Sequence, residues 1–348
     1  MITRRVPSFA RRLDEVRYLA FLGAFLMAGA VLLGSPGQTA TGRSSASPPP
    51  VYPPPPLNPT GVVLETRPLS EGVYALLSNT PFADNEGFIV GRDAVLVVDS
   101  GFNGRIGQQI LDSVRRVTDK PIRYLVNTNA FGDHNFGNYV FPATTKIVSS
   151  RRTFDSLRNT TKTEIATRMA ATVDNDLSVF DGVTLRLADE TFDEHWSVDL
   201  GGRRVEAHFF GPGMSPNDTV VYVPDAQIAW TANLIFGAGT IPWVQSSGVA
   251  TYRATLERLA RALEIKTIVP GHGALTGGGT IETYLRYLDA IKAMAEQAVA
   301  NRLSVDEFIS TATVPSSFQI APSLVPLMTG AHRRNLERAY RDADVRER

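Results

Sequence analysis

Residues 127–138 read NTNAFGDHNFGN, and this stretch decides how the rest of the chain is interpreted. It begins at the end of Ile122–Asn127, an apolar-rich run that predicts a buried strand. Loops that follow strands carry a large share of the binding and catalytic residues of proteins. Asp133 and His134 stand side by side in this loop, so they are the first candidates for a metal or catalytic site.

Two other loops combine glycine and proline with chemically active side chains. Gly211–Asp218 (GPGMSPND) follows the predicted strand Arg204–Phe209, and Pro270–Gly273 (PGHG) follows the predicted strand Lys266–Val269. The last of these loops contains His272, which becomes the third candidate ligand.

The amino-acid composition excludes several kinds of chemistry for this chain. The chain has 348 residues and no cysteine, which excludes disulfides, thiolate metal sites and a cysteine nucleophile. A metal site would have to use His, Asp, Glu, Asn or backbone oxygen. Residues 1–60 hold six arginines and two acids, so the rest of the chain carries 29 basic and 33 acidic side chains. A mildly acidic body without a basic stripe argues against nucleic-acid binding.

The N-terminal segment predicts an exported protein. Residues 1–40 combine several arginines with an apolar run at 18–34, which predicts a signal peptide or an N-terminal membrane anchor. Residues 41–60 are rich in proline and predict a linker. We expect a folded domain at 61–300 and a C-terminal helical extension at 301–348. The protein would then be periplasmic or secreted, and any contact with a membrane would be made through the N-terminal segment.

After residue 61, the sequence pattern predicts a group of strands with helices, and then a second group of strands with helices. Short β-rich runs open the domain and are followed by a predicted helix at Gly104–Val117. Strands return later, the first of them predicted at Thr184–Leu187, and helices fill the chain from about Thr280 onward. This order indicates two β-rich halves with helices outside.

The order of these motifs resembles the metallo-β-lactamase superfamily. The resemblance runs from about Val73 to about His272, and it rests on four segments in the family's order. They are the opening strands (Asn85–Val90 and Val97–Gly101), the loop after Val126, the segment Phe136–Ala143, and Val269–Gly273. The resemblance implies an α+β fold, a four-layer αββα sandwich with metal at one edge.

The same resemblance implies a degenerate metal motif. The family loop His-x-His-x-Asp-His has Asn129 and Phe131 at its leading histidines here, while Asp133 and His134 remain. Met214 occupies the place of the next family histidine, Asn233 that of the bridging aspartate, and His272 is retained. The resemblance therefore implies that the first metal site is lost and that Asp133, His134 and His272 are the remaining ligands.

The first functional hypothesis is an exported, single-metal hydrolase that attacks a carbonyl group of a small molecule: a lactone, ester, thioester or lactam. The cofactor would be one zinc ion, with iron or manganese as alternatives. Asp133 would orient water or take its proton, and Asn233 would bind the oxyanion. Asp99 would hold loop amides or a ligand, and Trp243 would line the substrate pocket, with Asn129, Phe131 and Met214 around the vacated first site.

The second hypothesis is a catalytically inactive, metal-free member of the fold that serves as a binding or scaffold protein. It is motivated by the ligand positions that no longer carry ligands. The two hypotheses differ in whether Asp133, His134 and His272 converge on one point. We interpret the remaining histidines, His195, His208 and His332, as structural or surface residues.

Overall fold

The computed structural model of the chain describes residues 54–80, 82–244 and 246–344. The predictions for residues 1–40 and for most of the 41–60 linker lie outside the described residues. Within the described residues, no helix is long and apolar enough to cross a membrane.

The first sheet has seven strands in the order β1 to β7. The first four strands are antiparallel neighbours, and β4 to β7 run parallel to one another. The strands are β1 (Leu64–Ser70), β2 (Val73–Ser78), β3 (Glu86–Val90), β4 (Val95–Val98), β5 (Ile122–Asn127), β6 (Lys146–Ser150) and β7 (Glu190–Phe192).

The second sheet has six strands in the order β13-β12-β11-β10-β9-β8. Only the pair β11 and β12 is parallel among these described strands. The strands are β8 (His195–Asp199), β9 (Arg204–His208), β10 (Val220–Val223), β11 (Ile228–Trp230), β12 (Thr267–Val269) and β13 (Thr276–Gly277).

Helices connect the strands and close the chain. They are α1 (Gly104–Val117), α2 (Gly132–Asn135), α3 (Arg151–Arg158), α4 (Lys162–Met169), α5 (Val249–Ala262), α6 (Gly279–Ala300), α7 (Val305–Thr311) and α8 (Val325–Ala343).

Three apolar cores separate four layers. Along β4, Val95 and Val97 face the core shared with α1, whereas Leu96 and Val98 face the core between the two sheets. This alternation follows from the two-residue period of a strand that is buried on both faces. A third core lies between the second sheet and the helices α5, α6 and α8. The structure confirms the α+β fold and the four-layer αββα sandwich.

One predicted strand is wrong. Thr184–Leu187 has no regular secondary structure, and the chain forms its strands a few residues later, in β7 and β8. These two strands are short and largely polar, so they lack the apolar run that marked the other strands.

The end of the proline-rich segment packs on the domain. The backbone N–H of Leu57 donates to Thr172 O at 2.9 Å, and the guanidinium of Arg105 donates to Pro59 O and to Val62 O. Leu57 and Pro59 therefore already contact the domain, a few residues before its expected start at residue 61.

Helix α8 is tied to the loop that precedes α5. Asn335 lies in α8, and its side chain donates from Nδ2 to Pro242 O at 2.7 Å and accepts from Val244 N at 2.9 Å. The guanidinium carbon of Arg334 lies 5.8 Å from the ring centre of Trp243. The loop that contains Trp243 is thus held by a helix about 90 residues further along the chain.

Candidate metal centre

Loops from both sheets converge at one end of the sandwich. Parallel strands β4 and β5 end at Val98 and Asn127, and parallel strands β11 and β12 end at Trp230 and Val269. Carboxyl ends of parallel neighbours lie on the same edge of a sheet, so the loops that follow them meet there. These loops carry Asp99, Asp133, His134, Asn233 and His272.

Four buried side chains of this region form a set of possible metal ligands. Asp84, Asp133, His134 and His272 each offer one ligand atom, and the four atoms lie within 4.8 Å of one another. Asp133 Oδ2 lies 3.5 Å from His272 Nε2 and 3.9 Å from His134 Nε2. Tetrahedral zinc with bonds near 2.0 Å holds its ligand atoms about 3.3 Å apart, so the spacing suits one such ion. The structure thus brings the three sequence-predicted ligands together and adds Asp84.

His134 is oriented by a carboxylate behind it. Its Nδ1 lies 2.8 Å from Asp99 Oδ2, and Asp99 also accepts hydrogen bonds from the backbone N–H and the hydroxyl of Thr128. A histidine that donates from Nδ1 to a carboxylate presents Nε2 as a metal ligand. Asp99 therefore makes both of the contacts expected of it, with a loop amide and with a candidate ligand.

His272 is oriented by a backbone carbonyl and by two aromatic rings. Its Nδ1 donates to Phe82 O at 3.1 Å, which fixes the proton on Nδ1 and leaves Nε2 facing Asp133. The rings of Phe82 and Phe236 stack on the imidazole, with ring centres 5.4 and 5.9 Å away. Burial lowers the pKa of His272 to about 4, so the ring is neutral at pH 7 and can act as a ligand.

The hydrogen bonds of Asn85 bring the neighbouring Asp84 to the site. Asn85 donates from its backbone to Gly271 O, and from its side chain to Pro270 O at 3.0 Å and to Gly273 O at 2.8 Å. These bonds dock the start of β3 onto the loop of His272, and Asp84 pairs with His272 as an isolated β-bridge. Asp84 Oδ1 then lies 3.2 Å from His272 Nδ1.

The site contains more buried polar groups than its own hydrogen bonds satisfy. Within the described residues, these buried atoms at the site have no hydrogen-bond partner: Asp84 Oδ2, Glu86 Oε2, Asp133 Oδ1, His134 Nε2 and Asn233 Oδ1. Leaving one such atom unpaired costs roughly 1–3 kcal/mol. All except the imidazole nitrogen are oxygens, and a divalent cation accepts both types of ligand. The residues present therefore fit a divalent cation.

Charge in the site also favours a cation. Burial, together with the neighbouring charge of Asp133, raises the pKa of Asp84, and burial with the charge of Asp99 raises that of Glu86. Burial alone would lower the pKa of His134, but the carboxylates of Asp133 and Asp99 outweigh it and raise the pKa. Several buried carboxyl groups thus lie close together, and a bound cation would relieve the repulsion among them.

Asn129, Phe131 and Met214 lie outside this ligand set. Asn129 uses its side-chain oxygen to accept from Phe131 N at 2.8 Å and points its amide at Asp218 Oδ1, 3.5 Å away. Met214 is half-buried and packs against the core of the second sheet. Asp218 is buried and also accepts from Ser215 N at 2.9 Å.

Trp243 supports the site from behind, and Asn233 lies against the loop of His272. Trp243 is only 6% exposed and packs against Phe82 and Phe236, so it backs the rings that hold His272. Asn233 lies against Gly271, where a Cβ atom would come within 2.8 Å of Asn233 Oδ1. The loop of His272 can therefore approach Asn233 only because residue 271 has no side chain.

Sequence reasoning missed Asp84 and Glu86. Both flank Asn85 in the run DNE, just before an apolar strand, and two acids at such a position were a usable signal. Their role became visible only through the contacts between Asn85 and the loop of His272, which join residues 185 and 188 positions apart.

A buried set of two histidines and two carboxylates at the end of an αββα sandwich defines a metal-binding hydrolase fold. The chain belongs to the metallo-β-lactamase superfamily, whose family model, described as "Metallo-beta-lactamase superfamily", matches residues 80–272. The fold and the ligand set together indicate metal binding.

The chain also resembles two known proteins. It is 25% identical over 263 residues to the linear primary-alkylsulfatase of Pseudomonas sp. (strain ATCC 19151). That match covers 65% of this chain and 49% of the relative, so the chain spans about half the relative's length. A metallo-β-lactamase from Pontibacter korlensis superposes with a TM-score of 0.53 at 19% identity, over 65% of this chain and 99% of that one. At this identity the likeness shows the fold alone.

Proposed function

We propose that the chain is a single-metal hydrolase with one zinc ion held by Asp133, His134 and His272, and with Asp84 as an additional carboxylate. The observation that carries the proposal is the convergence of these four buried groups within 4.8 Å. Zinc is preferred over iron and manganese because the family and the mixed nitrogen and oxygen ligands suit it. The same convergence speaks against the metal-free scaffold hypothesis.

A zinc ion in this place supplies Lewis acidity toward a substrate oxygen and toward water. Asp133 has two different oxygens for the reaction: Oδ2 faces both imidazoles, and Oδ1 is buried without a partner among the described residues. Oδ1 would accept the proton of the attacking water. Asn233 would donate from its amide to the developing oxyanion. Asp99 would keep His134 in the tautomer that presents Nε2.

The first substrate class is a carbonyl compound: a lactone, ester, thioester or lactam. A sulfate ester is the second candidate, and the similarity to a linear primary-alkylsulfatase favours it. Both reactions place negative charge on an oxygen of the group under attack, so the same ion and amide donor would serve either one. We further propose that the chain is exported and that residues 1–40 direct this export.

Elemental analysis of the purified full chain after zinc loading and desalting tests the metal. We expect His272→Ala to lose one equivalent of retained zinc, and His332→Gln, a change at a buried histidine outside the site, to lose none. Zinc retention that is unchanged in His272→Ala would overturn the proposal.

Activity is tested on a 4-nitrophenyl ester, a lactone, a β-lactam and a linear alkyl sulfate. We expect hydrolysis of at least one of them to depend on added zinc and to fall at least a hundredfold in Asp133→Ala. Full activity and full metal content in Asp133→Ala would reject the assigned role of Asp133. The location is tested by fractionating cells that produce the full chain, and recovery in the cytoplasm would reject export.

A further inference from the structure

A second cluster of metal-binding side chains lies on the hairpin of β8 and β9. His195 is the first residue of β8 and pairs directly with His208, the last residue of β9. The centres of the two rings are 4.7 Å apart. Glu206 stands two residues before His208, on the same face of β9, and its Oε2 lies 2.9 Å from His208 Nε2. The three ligand atoms lie within 4.8 Å of one another.

The register of the hairpin fixes this arrangement. Val205 and Ala207 of β9 point into the core between the sheets, so Glu206 and His208 must point to the opposite face. Directly paired residues of an antiparallel ladder have neighbouring side chains on one face, which places His195 beside His208. The cluster is thus specified by strand pairing and does not depend on a loop.

The surroundings orient the ligand atoms toward one another. Arg204 Nε holds Glu206 Oε1 at 2.8 Å, which leaves Oε2 on the side of the histidines. The ring of His208 stacks on Phe210 with ring centres 5.3 Å apart and planes at 12°.

We propose that His195, Glu206 and His208 form a second zinc site, independent of the buried centre, that joins the edge strand β8 to β9. Two imidazoles and one carboxylate with a fourth position open to water are an ordinary zinc coordination set. Ligand atoms on tetrahedral zinc are about 3.3 Å apart, so Glu206 and His208 need to separate by only a few tenths of an ångström.

The position of the site gives it a structural effect. β8 is the last strand of the second sheet in the described part of the chain, and edge strands are the least supported strands of a sheet. β9 runs directly into the loop at Gly211–Asp218, and Phe209 N donates to Glu194 O at 2.8 Å just beyond the histidine pair. A zinc ion here would hold the hairpin closed at the end where this loop begins.

The test is a zinc titration of the purified, EDTA-treated full chain. Calorimetry measures the number of zinc ions bound, and thermal unfolding measures the melting temperature (Tm). We expect the wild type to bind one equivalent more than His195→Ala, and zinc to raise the Tm of the wild type by about 2 °C or more relative to that variant. Ser197→Ala is the matched control, because Ser197 is exposed on the same face of β8 and offers no ligand of this kind.

An experiment can reject the second zinc site without rejecting the proposed function, and the reverse also holds. His272→Ala must keep the equivalent that His195→Ala loses, because the two sites share no residue. His195 is exposed, so its replacement is not expected to prevent folding. His208→Ala gives a second reading of the same equivalent, and histidine side-chain NMR signals of the wild type report which rings respond to zinc. Equal zinc stoichiometry in the wild type, His195→Ala and His208→Ala would overturn the proposal.

Discussion

Asp99 Oδ2 lies 2.8 Å from His134 Nδ1, while the other oxygen of the same carboxylate accepts the backbone N–H of Thr128 at 2.7 Å. One side chain thus fixes both the loop after β5 and the orientation of the candidate ligand that this loop carries. Asp99 itself adopts a left-handed backbone conformation with φ of 59°, which is uncommon outside glycine. Positions of this kind are concentrated at functional sites.

Replacing Asp99 by Asn is expected to weaken metal binding by about 10–100-fold. The amide keeps the size of the side chain but removes the charge that polarises His134. Thr128→Val removes only the hydroxyl that donates to Asp99 Oδ2 at 2.6 Å, so we expect a smaller loss. Competition with a chromogenic chelator measures both affinities, and equal affinity in Asp99→Asn and the wild type would contradict the assigned role.

Asp84→Asn is expected to have opposite effects with and without metal. In EDTA the variant should unfold at a higher denaturant concentration, because burial and Asp133 both disfavour the charge of Asp84. With saturating zinc the order should reverse, because the variant gains less from binding the ion. Chemical denaturation in both conditions measures the free energy of unfolding, and the same rank order in both would show that Asp84 does not act on the metal.

Gly271→Ala is expected to destabilise the fold by roughly 1–3 kcal/mol and to impair metal binding. The new Cβ would lie 2.7 Å from Ala232 O, a backbone atom that cannot move aside cheaply. Gly279→Ala is the matched control, since nothing lies within 4 Å of its Cβ and the residue begins helix α6. Alanine there should be neutral or stabilising by up to about 1 kcal/mol. Equal unfolding free energies for the two variants would refute the steric argument.

His332 should make the metal-free protein less stable in acid. Burial lowers its pKa to about 4 from an ordinary value near 6.5, so between these values the unfolded chain takes up a proton that the folded chain does not. Stability from this group is complete above the ordinary pKa and falls with decreasing pH by up to about 1.4 kcal/mol per unit.

We expect His332→Gln to reduce this slope when the free energy of unfolding is measured in EDTA between pH 7 and pH 4.5. Tyr287→Phe removes the hydroxyl that is hydrogen-bonded to His332 Nδ1 at 2.7 Å but keeps the buried imidazole. Its slope should therefore stay close to that of the wild type. A wild-type slope in His332→Gln would assign the acid sensitivity to other groups.

Much of the fold could be predicted because its signals are local. Ile122–Asn127 forms a strand, as predicted, and its second half is buried, while Gly104–Val117 forms a helix with the predicted bounds. Thr184–Leu187 was assigned wrongly because it alternates like a strand, whereas the edge strands β7 and β8 are polar and owe their conformation to pairing with β6 and β9. Tertiary pairing overrides local propensity at such positions.

The site could be predicted only in part. Asp133, His134 and His272 follow apolar strands, and the structure brings them together, although their role as ligands stays a prediction. Asp84 was missed because its approach to His272 depends on bonds made by Asn85 to a distant loop. The pairing of His195 with His208 was missed for a similar reason, since β8 itself was not recognised and register cannot be read without both strands.

The tie between Asn335 and the loop of Trp243 has a consequence for synthesis. Pro242 and Val244 receive their side-chain partner only after 93 and 91 further residues have been added to the chain. Domains fold as units, and their N-terminal parts are synthesised first. A chain that ends within α6 therefore lacks the side chain that pairs Pro242 O and Val244 N, and the loop of Trp243 gains this support only once α8 is present.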